Sequence, residues 1–309
     1  MGIGHHFNGL HERLIKLNPA LSIWNRYDIL FVFIAPVIQG LIYGILLIAP
    51  YFHLSYSIKH FFILYLSNPT FSTRFLSNYT SIRPYHLISD IFIYIIIIFL
   101  LFNVERNKKR FYCVSAFLLL VLPLIASEVT IKFMAGEIGT SLGFSAIVAG
   151  FMGYLLYDVY AYVRDVYKIP VGVSFIFIFF FIDFTFWSVT LSTTLIHKMF
   201  VTIAVTGVGV LVYINWKTIN KIYNTLIAKS KNLTVKDRPY WVVIFLGMIY
   251  FSIFYFYFFK PAQLHIGHAI INWKVHYVGY FFGLVISWVI NRTLQFHQSG
   301  KKLSWRISR

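Results

Sequence analysis

The sequence predicts an all-α integral membrane protein, a polytopic bundle of about eight transmembrane helices. Of its 309 residues, 59% are hydrophobic and 12% are charged. A soluble domain needs about 25% charged residues to cover its surface. Long apolar runs recur along the chain, each near the roughly 20 residues that a helix needs to cross the hydrocarbon layer. They occupy residues 29–51, 87–103, 111–127, 141–163, 169–189, 197–215, 240–259 and 270–290.

The Lys and Arg residues between these runs predict an orientation in the cell membrane. With the N-terminus in the cytoplasm, five cytoplasmic segments hold most of the 27 basic residues. These are three in 1–28, four in 104–110, two in 164–168, six in 216–239 and five in 291–309. Cytoplasmic loops are enriched in such residues, so we expect both termini inside. The net charge of +17 then reflects contact with the lipid bilayer, and no nucleic-acid partner is expected.

This orientation divides the chain into three parts. We expect a cytoplasmic segment over 1–28, a membrane domain over 29–291 and a basic cytoplasmic tail over 292–309. The one long outer loop, 52–86, contains an aromatic, semi-apolar stretch at 60–66 that is too short to span. We expect this stretch to be an interfacial or re-entrant piece on the outer leaflet.

Small residues recur at helical spacing in two of the runs. Ser145, Ala149 and Gly153 follow one another every four residues, and Gly279 and Gly283 do the same. Residues four apart share one face of a helix. The ordinary interpretation is close packing of helices through small side chains.

A serine and a histidine on these faces add a second interpretation. Ser145 lies about 6 Å below the outer start of its run and His276 about 9 Å below the start of its own, at 1.5 Å per residue. A serine hydroxyl becomes a nucleophile when a base lies within hydrogen-bonding reach, and neutral histidine is the usual base. A distance of about 3 Å between Ser145 Oγ and a His276 ring nitrogen would support this interpretation, and a distance above about 10 Å would exclude it.

In this order, the motifs resemble those of the rhomboid intramembrane serine proteases. The resemblance covers roughly residues 28–165 and 265–291. The matching motifs are Gly143-Phe144-Ser145, Gly153-Tyr154, His276-Tyr277-Val278-Gly279 followed by Gly283, the stretch His86 to Asp90, and the charged turn from Phe102 to Phe111. The implied architecture is a six-helix rhomboid-like core with two additional helices inserted within 169–260.

The resemblance also implies an activity and a set of site residues. Ser145 would be the nucleophile and His276 its base in the hydrolysis of transmembrane protein substrates near the outer face. Gly143, His86 and Asp90 would lie at the oxyanion and substrate site, with the Ser145 N–H and the His86 side chain as donors. Gly153, Gly279 and Gly283 would pack the helices around the site. No cofactor or metal is implied.

The chain departs from the family pattern at three points. Asp90 stands where the family has Asn, and a carboxylate is a poor donor to an oxyanion unless it is protonated. Ala146 replaces the common Gly after the serine, and the inserted helix pair separates the two catalytic helices further than usual. The first departure motivates an alternative, a rhomboid-like pseudoprotease that binds membrane clients without cutting them.

Two further classes of function have some support. Asp183 lies within an apolar, Phe-rich run, and an acid there suggests a helix–helix hydrogen bond or, alternatively, a small-solute transporter. The basic segment 216–239 suggests a membrane subunit that contacts a partner or anionic lipid. His265 and His268 could suggest zinc together with His276, but no carboxylate or cysteine completes such a site in the sequence.

Overall fold

In a computed structural model of the protein, the described residues are 26–52, 55–81, 83–134, 140–190, 195–232, 265–266, 269–270 and 274–307. Most of the predicted segment 1–28 and the whole predicted span 240–259 lie outside them. The helices of this part are α1 (Arg26–Ile48), α2 (Ser55–Phe62), α3 (Phe71–Leu76), α4 (Pro84–Val104), α5 (Lys108–Phe133), α6 (Ser145–Asp165), α7 (Val173–Thr190), α8 (Leu195–Asn232) and α9 (Lys274–Ile307).

Five helices of the described part are long and apolar enough to cross a membrane. They are Val32–Phe52, Pro84–Val104, Lys108–Phe133, Ser145–Asp165 and Val201–Thr225. The prediction of a helical membrane protein is therefore confirmed at this level. The predicted spans 169–189 and 270–290 are helical from Val173 in α7 and from Lys274 in α9, although neither helix is among these five. The total of eight spans stays a prediction.

The chain forms two compact units, Met1–Tyr154 with Pro261–Arg309, and Leu155–Lys260. In the second unit α7 packs on α8. Ser174 Oγ donates a hydrogen bond to Asn215 Oδ1 at 3.1 Å, and a Cβ added at Gly207 would meet the ring of Phe181. Asp183 belongs to α7, but its side chain lies outside the described residues.

In the first unit, a small sheet that the sequence did not predict joins three loops. Its strands are β1 (Leu64–Tyr65), β2 (Thr140–Ser141), β3 (His265–Ile266) and β4 (Ala269–Ile270), in the order β1-β2-β4-β3. The β1–β2 and β3–β4 pairs are antiparallel, and the central β2–β4 pair is parallel. Two-residue strands have no detectable alternation of polar and apolar residues, which is why the sequence did not reveal them.

The sheet changes where the two helices of interest begin. The sequence predicted starts at residues 141 and 270, but these residues lie in β2 and β4. Ser145 is thus the first residue of α6, and His276 is the third residue of α9. Both starts move by four residues in the same direction. Ser145 and His276 therefore each lie four residues nearer to the start of their helix than the sequence predicted, whereas the two-residue difference between them is unchanged.

The loop 52–86 is folded rather than extended. It contains α2, β1, α3 and the 3-10 turn Ser77–Tyr79. A capping box between Thr70 and Thr73 begins α3, satisfying backbone N–H groups that have no partner within the helix. Within this loop, the residues from Ser77 to Ser81 are buried. Its predicted contact with the outer leaflet stays a prediction.

Candidate active site

The structure brings Ser145 and His276 together, although 131 positions separate them in the chain. Ser145 Oγ lies 2.7 Å from His276 Nε2, a normal distance for a hydrogen bond to a hydroxyl. His276 is 7% exposed and Ser145 is half-buried. If Nε2 is unprotonated, the hydroxyl donates to it, and the ring can then accept the serine proton.

The pairing of the central strands β2 and β4 aligns the helices that carry Ser145 and His276. Thr140 of β2 and Ala269 of β4 are partners in the parallel pair. Because parallel strands run in the same direction, the chain leaves both toward the same end of the sheet. A few residues later each strand is followed by a helix, α6 with Ser145 or α9 with His276. The pairing therefore brings the first turns of α6 and α9 side by side.

Gly143 shapes the turn between β2 and Ser145. Its φ angle is +137°, a conformation that residues with a side chain rarely adopt. Its N–H donates to the carbonyl oxygen of Ser77 at 3.0 Å, which fastens the turn to the loop before α4. Gly143 thus determines where α6 begins, and so the position of Ser145.

Phe144, the residue between Gly143 and Ser145, is held by its ring and by its backbone. The ring is 1% exposed and contacts the rings of Tyr79 and Tyr94, with centroids 5.6 and 5.5 Å away. The backbone N–H interacts with the carboxyl group of Asp90 in α4. Asp90 is 5% exposed, so this interaction lies inside the protein.

Tyr79 connects this turn to α5. Its hydroxyl donates to the carbonyl oxygen of Leu119, in the π-helical segment Phe117–Val121. Proline has no N–H, so Pro123 cannot donate the helical hydrogen bond that the carbonyl oxygen of Leu119, four residues earlier, would otherwise accept. The Tyr79 hydroxyl takes that place. Burial raises the pKa of Tyr79, which keeps the phenol protonated and able to donate.

The helices α6 and α9 touch through glycines. A Cβ added at Gly279 would overlap the carbonyl oxygen of Ala146, and one at Gly283 would overlap the carbonyl oxygen of Gly150. The reverse contact, from α6 to α9, is equally close: a Cβ added at Gly153 of α6 would overlap the carbonyl oxygen of Tyr280 of α9. Gly153, Gly279 and Gly283 are the glycines for which the sequence predicted packing around the site. Gly150, which follows Ala149 in the sequence, was not among the predicted residues.

His86 lies in the first turn of α4, four residues before Asp90, so the two share one face of the helix. It is half-buried, its ring contacts that of Tyr85 at 4.3 Å between centroids, and its carbonyl oxygen accepts a bond from Ser89 Oγ. No hydrogen bond described for His86 involves Ser145. The oxyanion role of His86 stays a prediction.

A buried ionic network lies at the other end of α4. Glu105 is fully buried and pairs with Arg110 through two bonds, Nε to Oε2 at 2.6 Å and Nη2 to Oε1 at 2.9 Å. The Tyr154 hydroxyl of α6 donates to Glu105 Oε2 at 2.5 Å. Arg110 Nη1 donates to Asn291 Oδ1 of α9 at 3.0 Å. The charged turn predicted between α4 and α5 thus connects the helices that carry Ser145 and His276.

In the part of the chain that the structure describes, no three His, Cys, Asp or Glu residues come close enough to hold a metal ion. His268 and the side chain of His265 lie outside that part. The chain matches no protein-family model, no curated protein and no solved structure. What the site can do must therefore be argued from its own geometry.

Proposed function

We propose that the protein is an intramembrane serine endopeptidase of the rhomboid type, acting on transmembrane proteins near the outer face of the cell membrane. The observation that carries the proposal is the 2.7 Å contact between Ser145 Oγ and His276 Nε2 in the first turns of two helices. Rhomboid-type motifs elsewhere in the chain occur in the expected order. Their residues Asp90 and Gly143 lie at the same serine turn.

In the proposed reaction Ser145 Oγ attacks the scissile carbonyl carbon while His276 Nε2 takes the hydroxyl proton. The histidine then gives this proton to the leaving amine, and water hydrolyses the ester formed on Ser145 by the same route. The oxyanion would meet the N-terminus of α6 at the Ser145 N–H, where the helix dipole favours negative charge. His86 would add a side-chain donor.

The orientation belongs to the same proposal. Both termini would be cytoplasmic, so that the first turns of α6 and α9 face the outer side of the membrane. Water would then reach the half-buried Ser145 from outside. The six-helix core with an inserted helix pair is proposed on the motif order alone.

The experiment that tests the function uses the purified full chain in detergent. A fluorophosphonate probe should label Ser145, and Ser145→Ala should abolish labelling. Both Ser145→Ala and His276→Ala should lower cleavage of a reporter transmembrane substrate by about 10³-fold or more, because the two residues act as one unit. Ser72→Ala, which changes a half-buried serine of α3, should leave both signals unchanged. Unchanged cleavage by Ser145→Ala or by His276→Ala would exclude these two residues as the catalytic pair.

The pseudoprotease alternative rests on Asp90. Its carboxyl interacts with the Phe144 N–H as an acceptor, and an ionised carboxylate at this place would oppose a developing oxyanion. In that case wild type would bind transmembrane clients without cutting them. Client capture without cleavage, together with absent fluorophosphonate labelling, would favour this alternative.

A further inference from the structure

The C-terminal half of α8 carries an exposed groove that the proposed protease function does not use. The helix is 38 residues long, about 57 Å at 1.5 Å per residue. The hydrocarbon layer is only about 30 Å thick, so a large part of α8 must lie beyond it. The sequence predicted a loop from residue 216 onward, but the helix continues to Asn232.

Large aromatic side chains mark the part of α8 where the apolar sequence ends. Tyr213 is 83% exposed, and Trp216 and Tyr223 are each 60% exposed. Exposed Trp and Tyr side chains are typical of the headgroup level of a membrane, since their rings are apolar and their tips are polar. This part of α8 therefore suits the interface between hydrocarbon and water.

Positive charge begins at the same level. Lys217 and Lys221 are both exposed and lie one turn apart on one face, and α8 contains no Asp or Glu from end to end. Lys229 and Lys231 follow in the sequence. A basic segment that contains no acidic residue of its own and lies directly beyond an aromatic level attracts anionic lipid, with about 1 kcal/mol for each lysine near the surface.

The groove beside these lysines is shallow and open, and it combines apolar surface with several polar side chains. Its volume is about 630 Å³, and the residues that line it all belong to α8. Besides Trp216, Lys217 and Lys221, it is lined by Asn220, Asn224 and Thr225. The two ammonium groups can bind a phosphate, and the amides and hydroxyl can bond to a glycerol group.

We propose that this groove binds the headgroup of an anionic phospholipid, such as phosphatidylglycerol, in the leaflet where the C-terminal half of α8 emerges. Lys217 and Lys221 hold the phosphate, Asn220 and Asn224 bond to the glycerol hydroxyls, and Trp216 lies beside the upper acyl chains. The proposal does not rest on the protease function, because no residue of the groove belongs to the serine site.

Native mass spectrometry of the full chain in detergent tests this site, with phosphatidylglycerol and phosphatidylcholine of equal chain length as probes. Wild type should retain phosphatidylglycerol preferentially. Lys217→Gln with Lys221→Gln should weaken that retention by about 30-fold, from about 1 kcal/mol for each lysine. Lys217→Arg with Lys221→Arg keeps both charges and should retain the lipid.

The matched control is Lys59→Gln with Lys132→Gln, which removes the same charge from exposed positions of the other unit. It should leave phosphatidylglycerol retention unchanged. An equal loss in both double variants would mean that net charge alone attracts the lipid, and the proposal would be wrong. Displacement of the bound lipid by equimolar inorganic phosphate would also overturn it, since the groove would then be a simple phosphate site.

Discussion

At the residue scale, the position of Ser145 depends on the two residues before it. Gly143 supplies a backbone angle that other residues rarely adopt, and its N–H bonds to Ser77. Phe144 is held through its ring by two tyrosines and through its N–H by Asp90. Asp90 therefore acts on Ser145 through the backbone. An aspartate at this position can have this structural role whether or not it also meets the oxyanion.

This role predicts different results for two substitutions of Asp90. In Asp90→Asn the amide oxygen can still accept the Phe144 N–H, so fluorophosphonate labelling of Ser145 should stay within about threefold of wild type. In Asp90→Leu the buried N–H loses its acceptor, which costs about 1–3 kcal/mol. The labelling rate should fall roughly 10- to 100-fold. Equal labelling by both variants would exclude a positioning role for this carboxyl.

At the element scale, the contact between Ser145 and His276 depends on how α6 packs against α9. Their backbones touch where Gly279 meets Ala146 and where Gly283 meets Gly150. Van der Waals contact between backbones at small residues is a common way for membrane helices to associate. Here it also brings the first turns close enough for the 2.7 Å bond between Ser145 and His276.

A methyl group at Gly283 should separate the two helices. The new Cβ would overlap the Gly150 carbonyl oxygen, and backbone cannot move aside as a flexible side chain can. Gly283→Ala should lower stability by about 1–3 kcal/mol and slow labelling of Ser145. Gly44→Ala in α1 is the control, because a Cβ there meets nothing within 4 Å. Thermal unfolding in detergent compares the two variants. Equal melting temperatures of Gly283→Ala and Gly44→Ala would contradict the close contact at Gly283.

The turn between α4 and α5 contributes a second element-scale prediction. Removing one partner of the buried Glu105–Arg110 pair leaves an uncompensated charge, so Arg110→Met should cost about 3–5 kcal/mol. Adding Glu105→Gln should recover part of this loss, because the stranded charge is removed. Asp165→Asn breaks the exposed pair with Arg164 and should cost at most about 1 kcal/mol. A double variant less stable than Arg110→Met would contradict this explanation.

At the scale of the whole molecule, the basic residues predict which surface faces the cytoplasm. Cys113 is the single cysteine, so Cys113→Ala gives a background for single-cysteine labelling in intact cells. With an impermeant maleimide, Lys59→Cys and Lys132→Cys should react in intact cells. Lys217→Cys and Arg292→Cys should react only after permeabilisation, because Lys and Arg concentrate on the cytoplasmic side. The reverse pattern would place Ser145 on the inner side and contradict the proposed orientation.

Some of the site could be predicted from the sequence because it rests on local patterns. The spacing of Ser145, Gly153, Gly279 and Gly283 predicted small faces on two helices, and those faces meet in the structure. The contacts of Phe144 with Tyr79 and Asp90 could not be predicted, since they join distant segments without a shared motif. Burial of a Phe next to a serine has no sequence signal of its own.

That the protein is a helical membrane protein could be predicted from the sequence alone, because lipid solvates long apolar runs and charged residues are rare in them. The sequence also indicated which serine and histidine to compare. Where their helices begin, and how near the two side chains lie, became visible in the three-dimensional structure alone. The starts depend on the pairing of β2 with β4, and the 2.7 Å distance depends on backbone contact between α6 and α9. Both are interactions between residues far apart in the chain, which local periodicity cannot encode.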